Sequence, residues 1–355
     1  MTLPVTLSHT PSLHYHQSQR NQAILDACPS LFSPYKPVPW AANAHAQIVM
    51  YMTLESRAPA VSWDSEERLQ MPDGGTVSLQ WYGLKDPRVE AVTPILFVLP
   101  TITGTGNDLR GFIRRMQRAL GWIVVACNRR GHGDLPLTSP SVNTMGNTDD
   151  LRRQIKAAQQ RRPKAPLFAV GLSAGSGLLV RYLGEEGANT PLSGSIVFCP
   201  AYDIRTAFRR VHRLYDSIMA KRLNQYFLKR HKAVLHRQPG YEYCSQAKTM
   251  ADFHERLYGL AGFKNSEEYF EASNPMTVSR HNRTPTLVVN ALDDPICARE
   301  SLEEGLRTLA EQPEHYIVAV TKRGSHCAFY EGMLRPQSWA ERVMVEYLQA
   351  VHRLG

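Results

Sequence analysis

From residue 95 onward, short apolar runs alternate with segments that carry the 3.6-residue spacing of amphipathic helices, and few architectures accommodate that rhythm. The runs read as strands over Ile95–Leu99, Trp122–Cys127, Leu167–Val170, Ser195–Cys199, Thr286–Asn290 and Tyr316–Val320. They are continuously apolar, as strands covered by helices on both faces must be. Between them Leu109–Ala119, Thr148–Gln160, Gly177–Leu183 and Ser301–Ala310 show helical spacing, and Ser338–Leu354 supplies a closing helix. The pattern predicts an α/β fold with a mostly parallel central sheet and helices on both faces. Upstream, the turn Pro72-Asp73-Gly74-Gly75 leads into Thr76–Tyr82, whose Val77, Leu79 and Trp81 alternate with other residues, so an antiparallel edge strand is expected there.

Residues 205–280 break this rhythm with polar helical sequence and read as a cap inserted between two sheet strands. The 355 residues then divide into an N-terminal extension (1–39), a first part of the core (40–204), the cap (205–280) and a second part of the core (281–355). The apolar stretches Pro94–Pro100 and Trp122–Cys127 fall well short of the roughly 20 residues that span a bilayer. Met1–Ser30 has no basic start with an apolar centre and no small-residue cleavage pattern, so no secretory signal is expected and a cytoplasmic protein is. Six cysteines without a CxxC pair fit reduced thiols and argue against a disulfide framework and a zinc site. No cofactor is expected.

The formal charge of +9 raises the question of nucleic acid, but it is concentrated rather than spread. Arg209–Arg237 holds nine lysines and arginines against one acid, Asp216, a balance of +8, which leaves the rest nearly neutral. No nucleic-acid partner is expected. Within Val211–Leu235 the apolar residues Tyr215, Met219, Leu223, Tyr226 and Phe227 recur at helical spacing, with Arg213, Lys221, Arg222, Lys229, Arg230 and Lys232 among them. Such a helix either lies on an anionic membrane surface or packs its stripe on the sheet and leaves the basic residues solvated.

Gly171-Leu172-Ser173-Ala174-Gly175 fits the GxSxG nucleophile elbow, and here it has the required context of a strand before it and a helix after it. A serine hydroxyl attacks only when a base takes its proton, and on this scaffold the partners follow in the order serine, acid, histidine. That order prunes thirteen histidines to His315, His326 and His352. His315 precedes a strand and so lies at the wrong end of the sheet, and His352 sits in the closing helix. His326, in Gly324-Ser325-His326, follows a strand's carboxyl end, where ligands bind in such sheets. Asp293 and Asp294 follow another strand; Asp294 is the preferred acid, Asp293 reads as a turn residue bonding its own backbone, and Asp203 is an outside candidate better explained as a turn entering the cap. The oxyanion donors expected for this elbow are the N–H groups of Ala174 and of Ile102, in the loop after Ile95–Leu99. The run Asn128–Asp134, despite its histidine, is expected to shape the loop beside the elbow, with an arginine bonding backbone.

These residues resemble the α/β-hydrolase-domain proteins one to three of animals, with their bacterial YheT-type and plant embryogenesis-associated relatives in the AB hydrolase 4 family. The resemblance runs from about Trp40 and includes Asn43-Ala44-His45-Ala46-Gln47-Ile48, similar to N-P-H-L-Q-T, and Asn128-Arg129-Arg130-Gly131, similar to N-H-R-G. Leu137–Pro140, Asn147–Leu151, the approach to the elbow, Tyr182–Gly187 and the cap segments Gly262-Phe263 and Glu267–Tyr269 extend it. It departs at Pro100-Thr101-Ile102-Thr103-Gly104, where the family usually reads P-G-L-T-G. The resemblance implies the α/β-hydrolase fold and a metal-free carboxylesterase or acylglycerol lipase with a triad at Ser173, Asp294 and His326. It does not extend to the membrane helix of the animal relatives. A thioesterase or acyltransferase using the same triad, and a catalytically silent binding protein on the same fold, are the rival readings.

Overall fold

The computed structural model describes residues 9–310 and 313–355. Strands β1 (Ser12–Tyr15), β2 (Ser65–Gln70), β3 (Thr76–Tyr82), β4 (Ile95–Leu99), β5 (Ile123–Asn128), β6 (Leu167–Leu172), β7 (Leu192–Phe198), β8 (Thr286–Ala291) and β9 (Tyr316–Thr321) form one sheet in the order β1-β9-β8-β7-β6-β4-β5-β3-β2. From β4 to β9 the strands run parallel, while β3 pairs antiparallel with β5, β2 with β3 and β1 with β9. This is the mostly parallel α/β sheet expected from the alternation, arranged in the α/β-hydrolase fold that the resemblance implies.

Two details differ from expectation. Thr76–Tyr82 is antiparallel but internal, and the edge belongs to β2, whose sequence Ser-Glu-Glu-Arg-Leu-Gln hides its strand character because one face meets solvent. At the other edge, the segment expected as an N-terminal extension pairs β1 with β9 and sends Ile24, Leu25, Leu31 and Tyr35 into the core; its residues 1–8 lie outside the described residues.

Helices α1 (Gln19–Asp26), α2 (Ala44–Arg57), α3 (Arg110–Leu120), α4 (Thr148–Arg161) and α5 (Ala174–Glu186) precede the cap. The segment expected as the cap carries α6 (Ile204–Arg209, beginning one residue before it), α7 (Arg213–Leu223), a π-helical turn (Asn224–Lys229), α8 (Lys232–Leu235), α9 (Tyr241–Ser245), α10 (Met250–Arg256) and α11 (Ser266–Ser273), and α12 (Arg299–Ala310) and α13 (Trp339–Leu354) follow. The sheet buries a separate cluster on each face. Leu96 and Val98 of β4 belong to the cluster built with α1, α3 and α13, and Ile95, Phe97 and Leu99 to the one built with α4, α5 and α12. The cap has its own core, built on Leu223, Phe227, Leu228, Phe253 and Tyr269. The single long helix expected over 211–235 is broken by the π-helical turn, and its apolar stripe divides: Leu223 and Phe227 enter the cap core, whereas Met219 faces the cavity beside Ser173. No helix among the described residues is long and apolar enough to cross a membrane.

Arg130 ties the β5 exit loop to α4 and to the turn before β3. Its guanidinium bonds Asp150 at 2.9 and 2.6 Å and Asp73 at 2.5 Å, and the Arg130 and Asp150 side chains are both 4% exposed. Breaking such a pair leaves a buried charge without its partner. Arg130→Met should therefore lower the unfolding free energy by about 3–5 kcal/mol, read as a shift of the urea midpoint.

Candidate active site

The elbow is dictated by close approach. Ser173 adopts φ 54° and ψ −116° between β6 and α5, and its N–H donates to the carbonyl of Phe198 at 2.9 Å. A Cβ on Gly175 would stand 2.1 Å from the carbonyl oxygen of Leu99, and one on Gly171 would stand 2.5 Å from that of Gly175. Both positions accept only glycine, which lets α5 turn back against β4 and β6 and leaves the serine hydroxyl at the sheet's carboxyl edge.

The structure brings Ser173, His326 and Asp294 together. Ser173 Oγ lies 2.7 Å from His326 Nε2, and His326 Nδ1 lies 2.9 Å from Asp294 Oδ2. The other carboxylate oxygen of Asp294 accepts the N–H groups of Ile296 and Cys297 at 2.7 and 2.9 Å, so the buried acid is held by its own turn. Burial by itself pushes the His326 imidazole down; the Asp294 carboxylate overrides it and holds the pKa well above the ordinary value.

Neither alternative acid reaches the histidine. Asp203 caps α6 through the Thr206 N–H and accepts from Asn274 at 2.6 Å, which makes it the turn entering the cap. Asp293 stays in the turn, its carboxylate turned to its own backbone N–H and to Arg323 at 3.7 Å and away from the histidine. Burial raises its pKa to about 7. His315 contacts Arg20 near the start of β9, and His352 packs edge-on against Trp122, both away from Ser173.

Ile102 and Ala174 both line the cavity that Ser173 opens into. Ala174 begins α5, so its N–H has no intrahelical partner. The loop that carries Ile102 is pinned from the Asn128–Asp134 run: Arg129 donates to the carbonyl of Thr101, and the His132 ring sits between the carbonyls of Arg130 and Ile102 at 3.0 and 3.1 Å. Burial, with Arg129 beside it, pushes His132 down to about 3, so this histidine is neutral and structural.

Two features of the site escaped the sequence reading. The Asn43–Ile48 motif supports the histidine loop: the Ala44 carbonyl accepts from Ser325 Oγ at 2.7 Å, and the Gln47 amide bonds both the N–H and the carbonyl of Tyr330. The cysteines are scattered in sequence, yet Cys199 and Cys327 lie close to His326, with donor atoms within 4.8 Å of one another, and Cys297 Sγ is 3.7 Å from His326 Nδ1. Burial pushes the Cys297 thiol up to about 11 and Cys199 well above its usual value; at Cys327 burial is outweighed by the hydrogen bond with Cys199 and by His326, which pull its pKa down, and His326 Nδ1 is already engaged by Asp294.

The cavity at Ser173 is walled mainly by apolar side chains, among them Phe208, Met219 and Met250 of the cap and Ile296 from the turn after β8. A second space adjoins it across the shared residues Ile102, Met145 and Ala174 and is lined further by Phe253 and Tyr269.

Only a neutral imidazole accepts a proton, so a base at His326 predicts turnover that falls as pH drops through its raised pKa. Asp294→Asn removes the anion that raises it, and the acidic limb of the kcat/KM profile should move to lower pH while the rate drops by about three to four orders of magnitude. Asp203→Asn and Asp293→Asn should leave that limb in place.

A family model described as serine aminopeptidase S33 (Hydrolase_4) matches residues 107–332, well over half of the chain. Phospholipase ABHD3 of Mus musculus is 26% identical over 99% of this chain and 86% of its own length, and Monoacylglycerol lipase ABHD2 of Danio rerio is 25% identical over 96% and 83%. Among solved structures, a puromycin-hydrolyzing peptidase of Mycobacterium tuberculosis aligns with a TM-score of 0.56 at 16% identity, covering 81% of this chain and 39% of that chain, a likeness of fold alone. The relatives span the region whose motifs the sequence shares with the α/β-hydrolase-domain proteins, and the family match runs through the elbow, the cap and the His326 loop; the chain belongs to this family of α/β-hydrolase-fold serine hydrolases.

Proposed function

We propose that the protein is a carboxylic ester hydrolase acting on short-chain esters or acylglycerols, with Ser173 as nucleophile, His326 as general base and Asp294 as the acid that orients it. The observation that carries this reading is the continuous relay from Ser173 Oγ through His326 to Asp294, at 2.7 and 2.9 Å, on the floor of an apolar cavity. Ser173 attacks the ester carbonyl as His326 Nε2 takes its proton, and the N–H groups of Ile102 and Ala174 receive the developing oxyanion. The imidazolium then gives that proton to the leaving alkoxide, and an acyl-enzyme remains. Water, losing a proton to the same nitrogen, attacks the acyl carbon; the tetrahedral adduct releases the acid and restores the serine.

The apolar wall suits an acyl chain, and the names of the mouse phospholipase and the zebrafish monoacylglycerol lipase accord with a lipid ester. On this reading residues 40–204 and 281–355 form the hydrolase core and 205–280 its lid. We further infer a reducing, cytoplasmic setting, in keeping with six unpaired buried thiols, and peripheral contact with anionic membrane through the basic cap.

A fluorophosphonate probe should label the wild type at Ser173 and leave Ser173→Ala unlabelled but folded. Hydrolysis of a short-chain ester should fall by several orders of magnitude in that variant. Turnover close to wild type would remove Ser173 from the mechanism, and transfer to an added alcohol in preference to water would reassign the enzyme as an acyltransferase.

A further inference from the structure

The molecule exposes apolar residues where two helices meet beside the cavity, outside the catalytic relay. On α2, His45, Val49 and Met52 follow the i, i+4, i+7 spacing of one helix face; on α7, Leu214 and Ile218 do the same. Val49, Met52, Leu214 and Ile218 are each more than half exposed, well beyond what an isolated surface side chain requires. The two stripes are joined, because the His45 ring stacks on Tyr215 of α7 and its Nδ1 lies 2.9 Å from the Tyr215 hydroxyl. Just before α2, Trp40 is 63% exposed and donates to the carbonyl of Met333, which brings exposed Met333 and Leu334 to the same end.

Charge identifies what would cover this strip. One turn beyond Ile218 stand Lys221 and Arg222, and Arg213 precedes Leu214; all three are exposed and, among the described residues, without a carboxylate partner. Other arginines of the basic segment are committed internally: Arg209 to Glu255, Arg210 to Glu304, and Arg230 over the Tyr226 ring. The +8 balance of the segment therefore condenses, beside the apolar strip, to a few free cations.

We propose that the α2–α7 face docks the protein on an anionic lipid bilayer, with Leu214, Ile218, Val49 and Met52 entering the interface and Arg213, Lys221 and Arg222 meeting the headgroups. The strip borders the active site from both sides. Met219 of α7 points the other way and lines the Ser173 cavity, and the first residue of α2 accepts the hydrogen bond from Ser325 beside His326. Docking there sets the cavity against the membrane, the source of a lipid ester, and in that respect the inference rests on the ester-hydrolase reading.

The test is co-sedimentation of the full chain with vesicles of phosphatidylcholine alone or mixed with phosphatidylserine, at low and high salt, alongside hydrolysis of a soluble short-chain ester. The wild type should bind the mixed vesicles at least about tenfold more tightly than the neutral ones, with salt weakening the difference. Leu214→Gln/Ile218→Gln and Val49→Gln/Met52→Gln should each lower binding to the mixed vesicles about tenfold or more, and Lys221→Gln/Arg222→Gln should remove most of the preference for phosphatidylserine. Soluble ester turnover should stay at the wild-type level in all three. Binding unchanged in the apolar variants, no wild-type binding to either vesicle, or concentration-dependent self-association through this face in place of vesicle binding overturns the proposal. Vesicle binding as described, in a protein that hydrolyses no ester, upholds the docking face and overturns the hydrolase reading instead.

Discussion

Ser173 holds a backbone conformation that costs an ordinary residue about 1–3 kcal/mol, and the site is arranged around keeping it there. The turn exists because β6 must pass directly into α5 while both press against β4, leaving no room for a Cβ at Gly171 or Gly175. Core packing on α5, through Leu178, Leu179 and Leu183, offsets that strain. The serine hydroxyl is thus aimed by the same contacts that hold the sheet together, and His326 and Asp294 need only arrive at the ends of neighbouring strands.

They arrive on short turns whose own hydrogen bonds are satisfied. Asp294 spends one carboxylate oxygen on two backbone N–H groups and the other on His326, so the acid has little freedom to turn away. The histidine loop is held through Ser325 and Tyr330 by the first turn of α2, and the loop carrying Ile102 is held by Arg129 and His132. Residues that look chemical in the sequence, such as His132 and Arg130, therefore act one step back from the cavity. Buried charges and neutral imidazoles of this kind position loops, and losing one leaves its partners unsatisfied.

The cap carries a different balance. Its inner surface is a small core of its own, which roofs the cavity, while α7 turns Met219 inward and Leu214 and Ile218 outward. A helix apolar on two sides cannot satisfy both within a single chain. One side is buried over Ser173, and the other is left for the surroundings.

Much of this was legible in the sequence because its signals are local. Apolar runs at strand length, helical spacing between them, and a glycine-flanked serine at a strand-to-helix junction specified the fold class and nominated Ser173, His326 and Asp294 by order along the chain. Other features were not legible because they depend on which segments pair and pack together, in some cases hundreds of positions apart. The polar strand β2 and the short β1 became strands only by pairing with β3 and β9, since an edge strand half in water needs no continuous apolar pattern. Cys199 and Cys297 joined Cys327 beside His326, and Gln47 met Tyr330 across the molecule. The sequence favoured Asp294 over its identical neighbour; the turn that bonds Ile296 and Cys297 to Asp294 fixes that choice physically, by pointing consecutive side chains in different directions. Sequence by itself determined the order of elements and the chemistry available to each; tertiary structure alone decided which of those groups share a cavity, because proximity across a sheet is set by strand pairing and not by separation along the chain.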